Sequence, residues 1–554
     1  MLSGSCRALG LRTCRRQLLH RLYSSNAVAE QKPFYVTTPI FYPNAAPHIG
    51  HLYTLVTADI IARHARLTKP DRPVYFLTGT DEHGLKIQNA ARQRGLEPRA
   101  LCDQLSATFR EMADSANISY SRFIRTTDED HYAAVKHLWQ ALAAKGLIRK
   151  AVYTGYYSVT DECFYTRDQV QEQPDGTFTS LETGSLVELS EEENYMFSLS
   201  HLGSALSELY RAKAGGSTII PAEKQDAVLG EVEAGLEELS ISRPVERLQW
   251  GIPVPDDPGH TIYVWIDALT NYLTATGYPW QGAERGVWPP DVQVIGKDIV
   301  RFHAIYLPAM LLALNIPTAK SLLVHGHWTV SRRKMSKSVG NVVDPFTIMS
   351  ARGVDVVRFY LARVGGSYGA DHDWSEEQLD KHAKELRTSI GNLFSRTHSD
   401  AVMSRLPDYL ERRAAVLESM SNDTDVDGEL RTLASDVDGH LSRLEIKLAL
   451  EKVVAQLGKV NALLESTAPW SASTPDSVRA RTIALSSETL RIAGIVLQPF
   501  MPTKANELLD ALGVPAQERA WANAGWRKGS VGMWKKVALF PVEKDGKGKR
   551  RTSR

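Results

Sequence analysis

The sequence predicts an α/β protein: a parallel-sheet domain interrupted by an insertion and followed by an α-helical bundle. Three observations predict it. Strand-length apolar runs alternate with helical spacing early in the chain, a turn-rich acidic stretch breaks that rhythm at 151–245, and after about residue 380 only long helical patterns remain. Phe34, Tyr35, Val36, Ile40 and Phe41 read as a buried strand over 34–41, with Pro43, Asn44 and Pro47 as its turn. Leu52, Leu55, Val56, Ile60 and Ile61 have helical spacing. The run PVYFLT (73–78) predicts a second strand, followed by polar GTDEHG and another helix. Glu191, Glu192 and Glu193 mark the insertion. The segments TIYVWID (261–267), VQVIGKD (292–298) and SLLVHGHWTV (321–330) read as three further strands. Ala449, Leu450, Val453, Val454 and Leu457, then Ile492, Ile495 and Val496, place long helices in the bundle. Ligands of parallel sheets bind at the carboxyl ends of the strands. That puts the loops carrying His48, His51, Asp81, Glu82 and His83 at the expected ligand edge.

Composition narrows the class. The 554 residues are 43% hydrophobic and 23% charged, which excludes wholesale disorder. No apolar run reaches the roughly 18 residues that a transmembrane helix needs. The net charge of +1 argues against a generally basic nucleic-acid binder, but it hides a pattern. Residues 1–29 hold Arg7, Arg12, Arg15, Arg16 and Arg21 and no acid, and 544–554 hold six basic residues and Asp545. The remaining body has 54 basic and 63 acidic residues, a net of −9. An Arg-rich, acid-free, weakly amphipathic start is the composition of a mitochondrial transit peptide, with a cleavage-like stretch at Arg21-Leu22-Tyr23-Ser24. The alternative is a basic arm that stays attached. Cys6 and Cys14 lie in this segment, leaving Cys102 and Cys163 in the body, too few for a disulfide framework or an all-cysteine zinc site.

Two motifs carry the chemistry. His48-Ile49-Gly50-His51 follows a strand and opens a helix, where unpaired N–H groups and the positive dipole end favour phosphate. The imidazoles can donate hydrogen bonds to phosphate oxygens, and Gly50 leaves room for a flat ring near the backbone. By itself such a pair is as often structural. Lys334-Met335-Ser336-Lys337-Ser338 lies in a Gly-flanked polar loop, where two lysines suit a departing pyrophosphate. By itself it reads as a solvated basic loop.

In this order the two motifs resemble the HIGH and KMSKS signatures of class I aminoacyl-tRNA synthetases. The stretches TTPIFYPNAAPHIGH (37–51), GTDEHG (79–84), WGIPVP (250–255), IYVWIDALTNYL (262–273) and IGKDIVRFH (295–303) resemble the methionyl-tRNA synthetase family, and the likeness runs over about 34–541. It implies a Rossmann-like catalytic domain in two halves (30–150 and 246–330), a connective insertion (151–245), a KMSKS-loop and stem-contact region (331–385), a helical anticodon-binding domain (386–541) and a basic tail (542–554). With residues 1–29 as presequence, it implies a form working in the mitochondrial matrix. The insertion is too short for the hydrolytic editing domain of the Ile, Val and Leu enzymes.

The reaction the resemblance implies has two steps. The methionine carboxylate attacks the α-phosphate of ATP, and the tRNA 3′ adenosine then takes the methionyl group. Substrates supply the attacking groups, so catalysis is positioning plus charge stabilisation. By resemblance, His48, Gly50, His51, Asp298, Trp328, Lys334, Ser336 and Lys337 serve ATP: the histidines at the phosphates, Asp298 at the ribose, Trp328 offering backbone to adenine, and Lys337 then Lys334 stabilising pyrophosphate. Asp81 pairs with the methionine ammonium. Ile40, Tyr42, Trp265, Ala268, Leu269, Tyr272, Ile299 and His303 would wall the thioether, which favours polarizable aromatic surroundings. One methylene or methyl mismatch is worth only about 1–3 kcal/mol, so discrimination needs shape and a hydrogen bond near the sulfur. Arg243 matches a family arginine near the active site. Mg²⁺ accompanies ATP, held mainly by phosphate and water. Several relatives bind zinc through cysteine knuckles in the insertion; here GYYSVTDECFYT (155–166) offers only Cys163, so no zinc and no other resident metal is expected. GNLFSR (391–396) and APW (468–470) resemble the anticodon reader: Trp470 to stack on a base, Asn392 and Arg396 to bond base edges of the CAU anticodon of tRNA(Met). No further domain follows ALFPV (538–542), so a monomer is expected, with no membrane partner. The competing classes are a tRNA-independent nucleotidyltransferase with a HIGH-type loop and an inactive RNA-binding paralogue. Neither accounts for the Trp265 stretch together with intact His48, His51, Lys334 and Lys337.

Overall fold

The computed structural model describes residues 32–160, 163–181, 183–212, 218–282, 285–335, 340–420 and 425–541. The expected presequence, the basic tail, Ser336 and Lys337 lie outside the described residues.

Six strands form the main sheet: β1 (Phe34–Thr37), β2 (Val74–Thr80), β3 (Arg122–Arg125), β4 (Thr218–Ile220), β5 (Val292–Gly296) and β6 (Ser321–His325). Their spatial order is β3-β2-β1-β5-β6-β4, and every pair is parallel. Both faces are buried, which is why these strands read as continuous apolar runs. Val36, Phe76 and Val294 face one core, and Tyr35, Leu77 and Ile295 face the other. The first core holds the long helix α1 (Ile49–Thr68) and continues into the helical region. The second holds the helices α2 (Glu129–Ala144) and α3 (Val264–Thr274). The strand order turns back between β1 and β5, the switch point at which doubly wound sheets open a crevice.

Three expectations change in detail. TIYVWID is not one strand: the chain runs as a strand over Asp257–Ile262, within a small antiparallel sheet, and enters α3 at Val264. Short apolar runs do not separate strand from helix by periodicity, and the helical spacing here emerges only once ALTNYL is added. Trp265 therefore sits on the first turn of a helix. The run 321–330 is broken at Gly326, where an added Cβ would stand 2.1 Å from the Ala370 carbonyl oxygen. Trp328–Val330 instead joins a separate three-stranded sheet with Arg333–Lys334 and His372–Asp373. Finally, Thr218–Ile220 lies within the expected insertion yet returns as the edge strand β4, pairing with β6. The rest of that region is dominated by a long antiparallel pair, Ile148–Ser158 against Leu186–Phe197.

Beyond the sheet the chain is helical. The helix α4 (Val354–Gly365) packs on α1, and α5 (Asp425–Ser442), α6 (Ile446–Thr467) and α7 (Asp476–Val496) form the bundle. Among the described residues no helix is long and apolar enough to cross a membrane.

Candidate active site

A cleft of about 340 Å³ opens at the carboxyl ends of β1, β2, β5 and β6. Its polar end is built by the start of α1. The His48 backbone N–H donates to His51 Nδ1 at 3.0 Å, and the Gly50 N–H donates to His48 Nδ1 at 3.1 Å. Both Nδ1 atoms are acceptors, so each neutral ring carries its proton on Nε2. The rings lie together, with centroids 3.8 Å apart. Burial first, then the charges of Lys334 and His327, lower the His48 pKa to about 4. Burial followed by His48 lowers His51 well below its ordinary value. At neutral pH the pair presents two N–H donors and no charge. Only glycine fits between them: a Cβ on Gly50 would stand 2.9 Å from His48 Cε1.

Opposite them, Asp298 follows β5. Its Oδ1 lies 3.1 Å from His327 Nε2 and its Oδ2 3.2 Å from Lys334 Nζ. Desolvation in the cleft opposes ionisation, but the hydrogen bond and charge of His327, with Lys334, outweigh it and hold the carboxyl well below the usual range. The side chain is still 42% exposed at the cleft mouth, so this is a reachable anion rather than an entombed one. Lys334 arrives on a hairpin whose turn residues Ser331 and Arg332 have positive φ, with Asp373 Oδ1 accepting from the Arg332 N–H at 2.9 Å.

The other end of the cleft is aromatic. Ile40 and Tyr42 come from the segment after β1, Asp81 from the first position after β2, and Trp265, Ala268, Leu269 and Tyr272 from α3. The Asp81 N–H donates to the Phe41 carbonyl at 2.8 Å, which ties the two loops together. Trp265 stacks on Phe302 at 3.7 Å. His303 Nδ1 lies 2.9 Å from the Ile299 carbonyl and Nε2 lies 2.7 Å from the Tyr272 hydroxyl. Burial lowers His303 to about 4, so the ring is neutral; Nδ1–H donates to the carbonyl and Nε2 accepts from Tyr272. That fixed hydroxyl and ring place a polar pair among the aromatic and aliphatic side chains.

The same architecture is found in known proteins. The family model for class I tRNA synthetases (M) matches residues 34–398, and that for the anticodon-binding domain of methionyl tRNA ligase matches 417–530. The chain belongs to the class I methionyl-tRNA synthetases. A probable mitochondrial methionine–tRNA ligase of Neurospora crassa is 45% identical over 521 residues, covering 89% of this chain and 82% of its own. One of Schizosaccharomyces pombe is 42% identical, covering 92% and 94%. Mycobacterium tuberculosis methionyl-tRNA synthetase in complex with methionyl-adenylate superposes with a TM-score of 0.82 at 40% identity, covering 92% of this chain and 100% of that one.

In this synthetase the cleft gathers the expected His48, Gly50, His51, Asp298, Trp328, Lys334 and Ile299 with the aromatic-end residues. Trp328 is 3% exposed and packs on Tyr53, Tyr360 and Trp374, so its ring belongs to the core. Arg243 is not in the lining. Its guanidinium sits against Tyr157, Phe164 and Tyr263, 4.5–5.4 Å from their centroids, and donates to the Ser242 carbonyl at 2.6 Å. Pairing of Ser242–Pro244 with the strand before α3 turns it into the insertion instead. His327 was missed; the paired histidines of HGHW at a strand's carboxyl end were the available signal. Among the described residues no group of three or more His, Cys, Asp or Glu could hold a metal.

Outside the cleft lining, Asn392 is exposed and Arg396 half-buried, four residues apart. The Arg396 guanidinium lies 4.5 Å over the half-buried Trp470 ring and 2.6 Å from Glu465. The structure thus brings Arg396 and Trp470 together.

Proposed function

We propose that the cleft joins L-methionine to ATP, giving methionyl-adenylate and pyrophosphate, and then passes methionine to the 3′ end of tRNA(Met) for mitochondrial translation. One observation carries this reading: a single cleft has neutral N–H donors and a carboxylate–lysine pair at one end and a carboxylate with aromatic walls at the other. The Nε2–H groups of His48 and His51 meet the phosphates, which enter with Mg²⁺ as part of the substrate, held by phosphate and water. Asp298 accepts from the ribose hydroxyls. Ribose arriving there displaces Lys334, whose ammonium turns to the phosphates as charge gathers on pyrophosphate. Asp81 holds the methionine ammonium, and the Tyr272 hydroxyl with His303 faces the sulfur. This fixes the carboxylate for attack on the α-phosphate, so positioning supplies most of the rate. Lys337 joins Lys334 in stabilising the leaving group. In the bundle, Trp470 stacks on an anticodon base, and Arg396 leaves Glu465 to bond a base edge beside Asn392.

Two variants separate the steps. Lys337→Ala lowers methionine-dependent ATP–pyrophosphate exchange by about a hundredfold or more with little change in methionine affinity, as expected for a contact made mainly in the transition state. Trp470→Ala keeps exchange and loses tRNA charging. Unchanged exchange turnover with a raised methionine KM in the first variant would refute the lysine's role. Mitochondrial import is supported by the Arg-rich first 29 residues and by the mitochondrial relatives. N-terminal sequencing of protein from cells should find this segment removed; an intact Met1 would sink the import reading.

A further inference from the structure

Behind the aromatic end of the cleft, Asp267 on α3 joins two histidines from other segments. Its Oδ2 lies 2.6 Å from His83 Nδ1, on the loop after β2, and its Oδ1 lies 2.6 Å from His131 Nε2, on α2. All three side chains are at most 1% exposed. The outer ring nitrogens are engaged as well, His83 Nε2 with the Tyr132 hydroxyl at 2.9 Å and His131 Nδ1 with Thr274 Oγ1 at 3.0 Å. Burial opposes the charge on Asp267, but the two histidines overcome it and hold the carboxyl at about 2.

None of these three side chains lines the cleft, but chain neighbours of His83 and Asp267 do. Asp81 precedes His83 by two residues, and Trp265 precedes Asp267 by two. Tyr42, from a third wall, donates its hydroxyl to the His83 carbonyl at 2.8 Å. Removing a carboxylate from water costs several kcal/mol. An apolar residue at position 267 would pack without that cost, but it would not link three segments at fixed distances.

We propose that Asp267 is a positioning residue for the amino acid. By bridging His83 and His131 it sets the separation of the Asp81 loop from the Trp265 helix, and with it the width of the amino-acid pocket. The ATP end is built on α1, β5 and β6, so it does not depend on this bridge. The proposal rests on the reading of the aromatic end as the methionine pocket.

The test is ATP–pyrophosphate exchange by Asp267→Asn, His131→Ala and His131→Gln, varying methionine and ATP in turn. Asp267→Asn and His131→Ala are expected to raise the methionine KM about tenfold, with kcat and the ATP KM within about twofold of the unmodified enzyme. His131→Gln, whose amide N–H can replace Nε2–H, should restore most of that loss. The proposal is overturned if both KM values and kcat change together, or if Gln is no better than Ala. Should Asp267→Asn not fold, the His131 pair carries the comparison. Unmodified enzyme that exchanges without methionine would refute the underlying reading instead; methionine-dependent exchange with unshifted KM in the variants would refute this proposal alone.

Discussion

At His48 and His51 it is burial and backbone hydrogen bonds that set protonation, and through it the chemistry. On the proposed role of these rings as neutral donors to phosphate, exchange activity should not titrate with an ordinary histidine. The same burial has a cost in acid. His48, His303, His325 and His398 are each lowered by burial from 6.5 to about 4. Between those values the unfolded chain binds protons that the folded chain refuses, so stability falls as pH falls through that window. The carboxyl of Asp267, depressed to about 2, gives way only at lower pH. Melting temperatures should therefore be nearly level above about pH 7 and drop from about 6.5 downward; a level profile from pH 7 to 5 would contradict this. At this scale the sequence was informative where a motif kept its residues together, as at 48–51 and 79–84. The Asp298–Lys334–His327 cluster was not legible as a cluster, because 29 and 36 residues separate Asp298 from its partners and only the crossover from β5 to β6 closes that gap.

The helix α1 shows what an element adds. Its 20 residues span about 30 Å. One end holds His48 and His51 in the cleft, and near the other His64 Nε2 lies 2.8 Å from Asp438 on α5. Midway, Asp59 pairs at 2.7 Å with Arg358 of α4, both fully buried. Arg358 also donates to the carbonyls of Ala116, Pro499 and Phe500, so one side chain joins α1, the segment before β3 and the segment after α7. Arg358→Met should cost about 2 kcal/mol or more, since it takes one of two guanidinium partners from the buried Asp59, which keeps Arg63, and leaves three carbonyls without that donor. A lowered denaturation midpoint measures it, and an unchanged midpoint would show the junction to be held elsewhere. The existence of α1 was plain from apolar spacing. The strand–helix boundary at Ile262–Val264 was not, because an apolar run of that length fits either conformation. The return of Thr218–Ile220 to the main sheet was equally hidden, since a three-residue strand carries no periodicity.

Over the whole molecule, the net charge of +1 says little. The body between the basic ends is acidic by nine charges, so tRNA must be met by local features rather than by the overall field. Arg396, over Trp470 and paired with Glu465, is the feature proposed above for the anticodon. The expectation of a parallel sheet, an insertion and a helical bundle survived because each leaves a different signature over tens of residues. Arg243 is not in the cleft lining because its placement depends on the pairing of Ser242–Pro244 with His260–Ile262, which sequence spacing does not reveal. The central claim is that the two ends of one cleft select methionine and activate it with ATP. ATP–pyrophosphate exchange measured across a panel of amino acids tests it most directly. Exchange with methionine and with no other amino acid is predicted; exchange with none of them, or equally with leucine or isoleucine, would contradict it.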